Sequence, residues 1–466
     1  MIFGYCVIVN AKNTFVLFAC FAIFAYLCAR MIKQRNMILN KVKISGIFNL
    51  KDVEISLDDL SALIAPNNYG KSNVLHAIDF GVFFMEASSK GKSSWMRNRS
   101  LIPINTVLEG APFSFELEGE FCDGENTFSF VYGYSFEWLK TSKDDMGAKI
   151  IAEYLKLKSD DDLKYRSYIN RENTDIAYYL ASPTGRCSKQ LPVDSNMLAL
   201  NKLANFDDLF YINAIRQLNK LDVREIGTLQ HPDRLFNLIA PDDDVNELSL
   251  EYPKEEKVGY YLNSLKELAP DKYELLKDVV TGLLITIEDF EPVQIDLRKD
   301  AEDENRKLPF RLPEIFYDVR VKERYNNQYT SINRISSGSK KIFFILTLVI
   351  AAEINKIPLV LLEELENSVH PRLLQNLLTA IVQLAGDTKV LITSHSPYLI
   401  KYLEPTKMKF GIPSEEGVAD FRSLKPSKVA KVLKNASAEE VSVGEYMFEM
   451  LLDMDCDSEL VNEYFK

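Results

Sequence analysis

The stretch LSALIAPNNYGKSNVLHAI (60–78) limits the possible folds of this chain more than any other part of it. A short apolar run, residues 60–65, is followed by a Gly-Lys-Ser turn and then by a helix-like stretch over residues 72–85. This order predicts a buried strand, a phosphate-binding loop and a helix whose N-terminus faces an anion. Ala65 stands where the pattern usually has glycine, and its one methyl group is compatible with a negative φ.

The loop supplies most of the predicted nucleotide-binding residues: Ala65, Pro66, Asn67, Asn68, Tyr69, Gly70, Lys71, Ser72 and Asn73. In such a loop the backbone N–H groups point at the β- and γ-phosphates of a nucleotide. Lys71 would reach the same two phosphates, and the Ser72 hydroxyl would bind Mg²⁺. The alternative is a surface turn that matches the pattern by chance, but the flanking strand and helix argue against it.

A second phosphate-facing turn is predicted far along the chain, in front of the long apolar stretch that ends at residue 354. The turn consists of Ser336, Ser337, Gly338 and Ser339. Backbone N–H groups at the start of a helix attract anions, so a turn of small residues there favours a phosphate contact. A serine-glycine turn before a helix is also a common cap, and that alternative stays open.

Two apolar runs in the same half of the chain end in ionisable side chains. Residues 357–371 indicate a buried strand that ends at Glu363 and Glu364, and residues 388–400 indicate another that ends at His395. Glu363 could hold the Mg²⁺ shell, Glu364 could orient or deprotonate the attacking water, and His395 could contact the γ-phosphate. Each group alone has a structural explanation, but their order and spacing together favour nucleotide hydrolysis.

These motifs, in this order, resemble an ABC-type ATPase of the SMC/RecF/OLD-like branch, the "AAA family ATPase" type of bacterial defence islands. Residues 65–72 match the Walker A motif, residues 336–339 the signature motif, and residues 358–364 Walker B with its catalytic glutamate. Residues 366–371, ENSVHP, match the segment that follows in this family, and His395 matches the switch histidine. Ala65 and Leu365 depart from the pattern, and the glutamine that usually contacts Mg²⁺ could not be placed.

The resemblance implies an α/β fold: an ABC-ATPase head (a P-loop NTPase with a mixed sheet and helices) with an inserted arm lobe of mixed α and β structure. It also implies ATP and Mg²⁺ as ligands, and a homodimer or higher oligomer in which two protomers sandwich two ATP molecules head to tail. The expected division is a leader (1–36), an N-terminal ATPase lobe (37–145), the arm lobe (146–290), a C-terminal ATPase lobe (291–405) and a tail (406–466).

Two local predictions concern the segments between the motifs. Residues 113–138 alternate apolar and polar residues around Asp123-Gly124, which predicts an antiparallel hairpin. Residues 207–218 are predicted to form a buried strand that ends at Arg216.

The N-terminal leader allows three interpretations. Residues 14–29 carry no charge and are followed by Arg30, Lys33 and Arg35, but a spanning helix usually needs about 20 apolar residues. The leader could precede the true start at Met37, anchor a cytoplasmic domain in the inner membrane, or form a buried helix. The 6 cysteines show no CxxC spacing, which argues against a zinc site or a disulfide framework and favours the cytoplasm.

Three classes of biological role are compatible with such an ATPase. The first is the regulator of an antiphage (abortive-infection) system that acts through a separately encoded effector, a nuclease or a toxin, since no Toprim nuclease domain is recognised after His395. The second is a RecF-like repair ATPase that binds DNA as an ATP-closed dimer, and the third a transporter ATPase. A net charge of −12 excludes a general polyanion binder, so nucleic acid is possible only at a local basic patch.

Overall fold

The structure is a computed structural model that describes residues 37–466, apart from residues 125, 140–148, 173–174, 228–247, 255–256, 297–314, 327, 368, 397–398, 400, 413–415 and 454–458. The predicted apolar leader lies outside the described residues. Among the helices that the structure describes, none combines the length and the apolar character that a membrane span requires.

The strands, numbered in chain order, belong to three sheets. Their bounds are β1 (Ile38–Ser45), β2 (Val53–Ser56), β3 (Leu60–Ile64), β4 (Phe113–Asp123), β5 (Asn126–Phe136), β6 (Ile150–Ser159), β7 (Arg166–Glu172), β8 (Ile176–Leu180), β9 (Cys187–Pro192), β10 (Val223–Ile226), β11 (Ile287–Asp296), β12 (Ile315–Glu323), β13 (Tyr329–Ser331), β14 (Leu359–Glu363), β15 (Lys389–Ser394), β16 (Met408–Ile412) and β17 (Asp420–Ser423).

The helices cover the faces of these sheets. Their bounds are α1 (Lys71–Glu86), α2 (Ser89–Trp95), α3 (Ala199–Leu203), α4 (Ile212–Asn219), α5 (Val258–Leu268), α6 (Pro270–Leu283), α7 (Ser337–Ile354), α8 (Pro371–Ala385), α9 (Pro426–Ala438), α10 (Val443–Asp453) and α11 (Glu459–Tyr464), and short 3-10 turns lie at Thr106–Leu108, Ile332–Arg334 and Pro405–Lys407.

A six-stranded sheet with the order β10-β14-β15-β3-β16-β17 forms the centre of the molecule. Its strands run parallel except for the pair β16 and β17. Its strands β3, β14 and β15 are continuous apolar runs because both faces of the sheet are covered. On β14, Val360 and Leu362 belong to one hydrophobic core, whereas Leu359 and Leu361 belong to the core on the other face.

An eight-stranded antiparallel sheet, β2-β1-β4-β5-β6-β7-β8-β9, packs against α1. Aromatic rings join the two elements: the Phe84 ring lies 4.7 Å from that of Phe136, and the Phe80 ring 5.3 Å from that of Phe113. The predicted hairpin is present as β4 and β5, which pair from Phe113 to Phe136. The remaining sheet, β11-β12-β13, packs with α5 and α6 against the core around α7.

Several strand pairings connect segments that the predicted division assigns to different lobes. The expected boundary between residues 145 and 146 lies outside the described residues, but β5 before it and β6 after it pair along their length in one sheet. Within the expected arm, β10 pairs with β14 at the edge of the central sheet. The expected tail contributes β16, which pairs with β3 directly beside the phosphate-binding loop.

The strand predicted over residues 207–218 is wrong, since residues 212–219 form the helix α4. Its buried side chains, Ala214, Ile215 and Leu218, recur at the three- to four-residue spacing of a helix. The apolar residues Phe210 and Tyr211 suggested a strand, but they lie in the turn that precedes α4. The α/β class itself is confirmed.

Candidate nucleotide site

Parallel pairing brings three predicted segments to one edge of the central sheet. Ile64, the last residue of β3, pairs with Ser394 on β15, and Glu363 on β14 pairs with Thr393. The loop that follows β3, the glutamates that end β14 and His395 after β15 therefore lie together. In open α/β sheets, ligands bind at the carboxyl ends of the strands, so this edge is the expected place for a site.

The phosphate-binding loop has the backbone conformation that its sequence requires. Gly70 precedes α1 with φ of 88°, in the left-handed region that favours glycine. A Cβ atom on Gly70 would lie 2.9 Å from the Cβ of Ala419 and 3.0 Å from Oδ1 of Asn49. The loop therefore admits only glycine at this position without a shift of its neighbours.

Ala65 fits at the start of the loop because its neighbour on β16 has no side chain. Ala65 is fully buried, and a Cβ atom on Gly411 would lie 2.5 Å from the Ala65 methyl group. The methyl group thus occupies space that Gly411 leaves open. This compensation explains how the departure from the usual glycine is accommodated.

Lys71 begins α1, and its ammonium group lies inside the loop. It is 6% exposed, and Nζ donates hydrogen bonds to the carbonyl oxygens of Ala65 at 2.8 Å and Pro66 at 2.9 Å. Burial lowers the pKa of Lys71, and the nearby carboxylates of Glu364, Glu366 and Glu363 act against that shift. The structure therefore holds a cation at the position where the motif predicts a contact with phosphate.

Ser72 and Glu363 meet directly, although they are far apart in sequence. The Ser72 hydroxyl donates a short hydrogen bond to Oε1 of Glu363. A hydroxyl and a carboxylate are the oxygen ligands that Mg²⁺ prefers, and this ion usually takes few protein ligands beside phosphates and water. The pair therefore fits a magnesium ion bound together with a nucleotide. Across the described residues, no group of three or more His, Cys, Asp or Glu side chains could hold a metal alone.

Glu364 follows β14 in an unusual conformation, with φ of 46°. A residue with a Cβ atom pays about 1–2 kcal/mol for the left-handed region. Several hydrogen bonds hold the turn: the Glu364 N–H donates to Oγ1 of Thr393 at 3.3 Å, and Nδ2 of Asn367 donates to the Glu364 carboxylate at 2.5 Å. The turn therefore fixes the carboxylate beside the loop.

Lys341, on α7, stabilises the same turn by hydrogen bonds. Its side chain is 2% exposed, and Nζ donates to the carbonyl oxygens of Glu364 at 3.2 Å and Asn367 at 2.7 Å. Burial lowers the pKa of Lys341, and the carboxylates of Glu366 and Glu364 act against that shift. The helix that follows the serine-glycine turn is thereby tied to the turn that carries Glu364.

An open cavity of about 600 Å³ lies between the loop and Glu364, within the size range of small-molecule sites. Its lining residues are Asn67, Asn68, Gly70, Lys71, Ser72, Asn73, Glu364 and Thr393. His395 is not among these lining residues, but its Nδ1 lies 3.5 Å from Oε1 of Glu364, which is one of them.

The serine-glycine turn does not line this cavity. Ser336 caps α7: its hydroxyl accepts a hydrogen bond from the Ser339 N–H at 3.2 Å, and the two hydroxyls lie 2.9 Å apart. Ser336 and Ser337 are exposed, and Gly338 and Ser339 are half-buried. Within one chain the turn therefore serves as a helix cap.

Several residues of the site were missed by sequence reasoning. Thr393 and Lys341 contact Glu364, and Asn49 fixes the loop through a 2.9 Å hydrogen bond from Nδ2 of Asn73. Glu366, which binds the end of β15, belongs to the ENSVHP segment and was an alternative candidate for the base, whereas Asn367 of the same segment was not singled out. Thr393 and Asn49 carry no local signal, because only sheet register brings them to the site.

In the comparison with protein families, residues 60–401 match the family described as "AAA domain, putative AbiEii toxin, Type IV TA system". The match spans more than half of the chain. The chain belongs to this family. Membership confirms the expected AAA-type ATPase class, and a family of this class implies nucleotide binding. The individual site residues remain predictions. No curated protein matches the chain.

Among solved structures, this AAA-family chain is similar to three SMC heads. The first, "SmcHead bound to the C-winged helix domain of ScpA", shows 12% identity over 84% of this chain and 99% of that chain, with a TM-score of 0.45. The SMC head domain from Thermotoga maritima shows 11% identity over 84% of this chain and 100% of that chain, with a TM-score of 0.39. The Smc head domain with an extended coiled coil, bound to the C-terminal domain of ScpA derived from Pyrococcus furiosus, shows 11% identity. The match covers 86% of this chain and 100% of that chain, with a TM-score of 0.44. Similarity at this level carries no inference about ligands.

Proposed function

We propose that the chain is a Mg²⁺-dependent ATPase whose reaction takes place in the cavity between the loop and Glu364. The observation that carries this proposal is the hydrogen bond between Ser72 and Glu363. It joins the phosphate-binding loop to the end of β14, and it pairs the two oxygen groups that a nucleotide-bound Mg²⁺ would need.

The surrounding residues suggest a division of roles. The loop N–H groups and Lys71 would bind the β- and γ-phosphates, while Ser72 and Glu363 would hold Mg²⁺, which neutralises phosphate charge when bound. Glu364 would orient the attacking water and accept its proton, because its carboxylate lines the cavity. His395 would contact the γ-phosphate from the end of β15.

We further propose that hydrolysis requires a head-to-tail homodimer. The support is that Ser336 and Ser337 are exposed at the start of α7 and do not line the cavity of their own chain. A turn of this kind, with α7 behind it, could complete the phosphate site of a second copy.

For the biological role, we propose the regulator of an antiphage system that acts through a separately encoded effector. The family description, with its reference to AbiEii and to a type IV toxin–antitoxin system, supports this context. The purified chain alone should then leave DNA and RNA intact with Mg²⁺ and ATP, and a second polypeptide should co-purify from the native locus. Robust cleavage by a homogeneous preparation would contradict the separate effector.

Glu364→Gln is the main test of the catalytic assignment. The amide cannot accept a proton, so we expect hydrolysis about 10²–10⁴-fold slower while ATP binding is retained. The variant should dimerise with ATP more stably than wild type in size-exclusion chromatography. Glu225→Gln, on the neighbouring strand β10, is the control. Hydrolysis at the wild-type rate by Glu364→Gln would show that another residue is the base.

Two further variants separate binding from dimerisation. Lys71→Ala should lose a charge-assisted contact worth about 1.5–3 kcal/mol, and with it most of the nucleotide affinity. Ser337→Arg should bind ATP as a monomer but fail to dimerise, because the larger side chain would obstruct the exposed turn. Normal ATP-dependent dimerisation of Ser337→Arg would refute the proposed interface.

A further inference from the structure

Glu366 connects the ends of two strands of the central sheet. It lies three residues after β14 and is 10% exposed, and Oε1 accepts hydrogen bonds from the Ser394 hydroxyl at 2.5 Å and from the His395 N–H at 3.2 Å. Ser394 is the last residue of β15. The carboxylate therefore holds the main chain at the point from which the His395 side chain projects.

The imidazole ring of His395 is turned toward two carboxylates. Nδ1 lies 3.5 Å from Oε1 of Glu364 and 3.7 Å from Oε1 of Glu366. Nδ1 is buried, whereas the side chain as a whole is 36% exposed, so the accessible part of the ring lies away from Nδ1. Nε2 is then the ring nitrogen available to a ligand.

Two buried polar atoms at this point have no hydrogen-bond partner in the described part of the chain: Nδ1 of His395 and Oε2 of Glu366. Buried polar groups are usually paired, and unpaired ones concentrate at functional sites. A small rotation of the ring would let Nδ1–H donate to Glu366, which would fix the ring orientation and leave Nε2 for a phosphate. The two unpaired atoms are therefore the groups that such a contact would satisfy.

We propose that Glu366 is a positioning residue, which acts on the nucleotide only through His395. The inference rests on the proposed ATPase function of the same site. Two other roles would explain the same burial: Glu366 could be the general base, or it could serve only to hold the fold together. Each role predicts a different response to substitution.

The first experiment compares Glu366→Ala with Glu366→Gln. Glutamine keeps an oxygen that can accept from Ser394 and His395, whereas it cannot act as a base. For a positioning residue we expect kcat to fall about 100-fold in Glu366→Ala. Glutamine at the same position should restore kcat about tenfold relative to alanine. The Kd for a slowly hydrolysed fluorescent ATP analogue should change less than about threefold in either variant. Equal losses in both variants would overturn the proposal, because they would indicate a base.

A double-mutant cycle with His395→Ala tests whether Glu366 acts through the histidine. In the His395→Ala background, Glu366→Ala should lower kcat by no more than about twofold, because the group that it positions is gone. A full 100-fold loss in that background would overturn the proposal. Ser394→Ala should give part of the Glu366→Ala loss and serves as a second variant if Glu366→Ala folds poorly.

A final measurement does not depend on hydrolysis. The chain has 4 histidines, so the ring nitrogens of ¹⁵N-histidine-labelled protein can be assigned by NMR, with His395→Ala identifying the His395 signal. Glu366→Ala should shift that signal, whereas Glu225→Gln should shift His76, whose Nδ1 lies 3.2 Å from Glu225. An unchanged His395 signal would overturn the positioning role. Absence of wild-type hydrolysis with a shifted signal would refute the ATPase proposal instead.

Discussion

Replacing Gly70 by alanine tests whether the backbone of the phosphate-binding loop determines nucleotide binding. Gly70 has φ of 88° and lies against two neighbours, the Cβ of Ala419 and Oδ1 of Asn49. The substitution adds one methyl group and changes no charge. Its effects on stability and on ATP binding can therefore be traced to backbone conformation and to space.

The magnitude follows from two contributions. An alanine in the left-handed region costs about 1–2 kcal/mol, of which about 0.4–1 kcal/mol is offset because alanine restricts the unfolded chain. Contacts of 2.9 Å and 3.0 Å at the new Cβ add about 1–3 kcal/mol, the usual cost of overpacking. We expect the free energy of unfolding in urea to fall by about 2–4 kcal/mol.

Gly110→Ala is the matched control. Gly110 has φ of 79°, and a Cβ atom there would have no neighbour within 4 Å. In this variant the free energy of unfolding should fall by about 1 kcal/mol or less, because only the backbone conformation is affected, and ATP binding should be normal. Gly70→Ala should also bind ATP about 10–100-fold more weakly, since a displaced N–H loses a hydrogen bond to charged phosphate. Equal stability losses in the two variants, with unchanged ATP affinity, would refute the reasoning.

Three other perturbations have expected outcomes. Burial lowers the pKa of Lys92 from 10.5 to about 8. Between pH 8 and 10.5 the unfolded chain therefore binds more protons than the folded chain, and the free energy of unfolding rises with pH in that range. Lys92→Met should remove about 3 kcal/mol of that rise, measured against wild type by urea unfolding across the same pH range. Ser72→Ala should weaken Mg²⁺-dependent ATP binding about tenfold, measured by nucleotide titration at several Mg²⁺ concentrations. Lys341→Met should lower the free energy of unfolding by about 1–3 kcal/mol, since it leaves the carbonyl groups of the half-buried Glu364 and Asn367 without this donor; an unchanged urea midpoint would contradict this.

Local patterns were sufficient to predict the elements that carry the site. The apolar runs that became β3, β14 and β15 are buried on both faces, so they show strand character without alternation. The long apolar stretch after Ser336 became α7, with the Ser336 side chain as its cap. In each of these elements, the local preference and the burial in the fold agree.

Local sequence patterns did not predict the pairing between distant segments. The expected lobes followed motif positions, but β6 continues the sheet of β5, and β10 joins β14. Neither pairing leaves a local trace, because a strand at a sheet edge and a strand in a separate lobe have the same alternation. The boundaries therefore could not be placed from the residues alone.

The two departures from the usual motif show how local and distant information combine at the site. Ala65 could be judged tolerable from its φ preference, but its actual environment depends on Gly411, a residue of β16 that lies far along the chain. Leu365 replaces the usual proline and is buried in the core beside β14, so it holds the Glu364 turn by packing. The left-handed Glu364 then depends on the hydrogen bond that its N–H donates to Oγ1 of Thr393 and on the one that its carbonyl oxygen accepts from Lys341. The motifs thus predict which groups react, while sheet register and helix packing determine the residues that hold those groups in place.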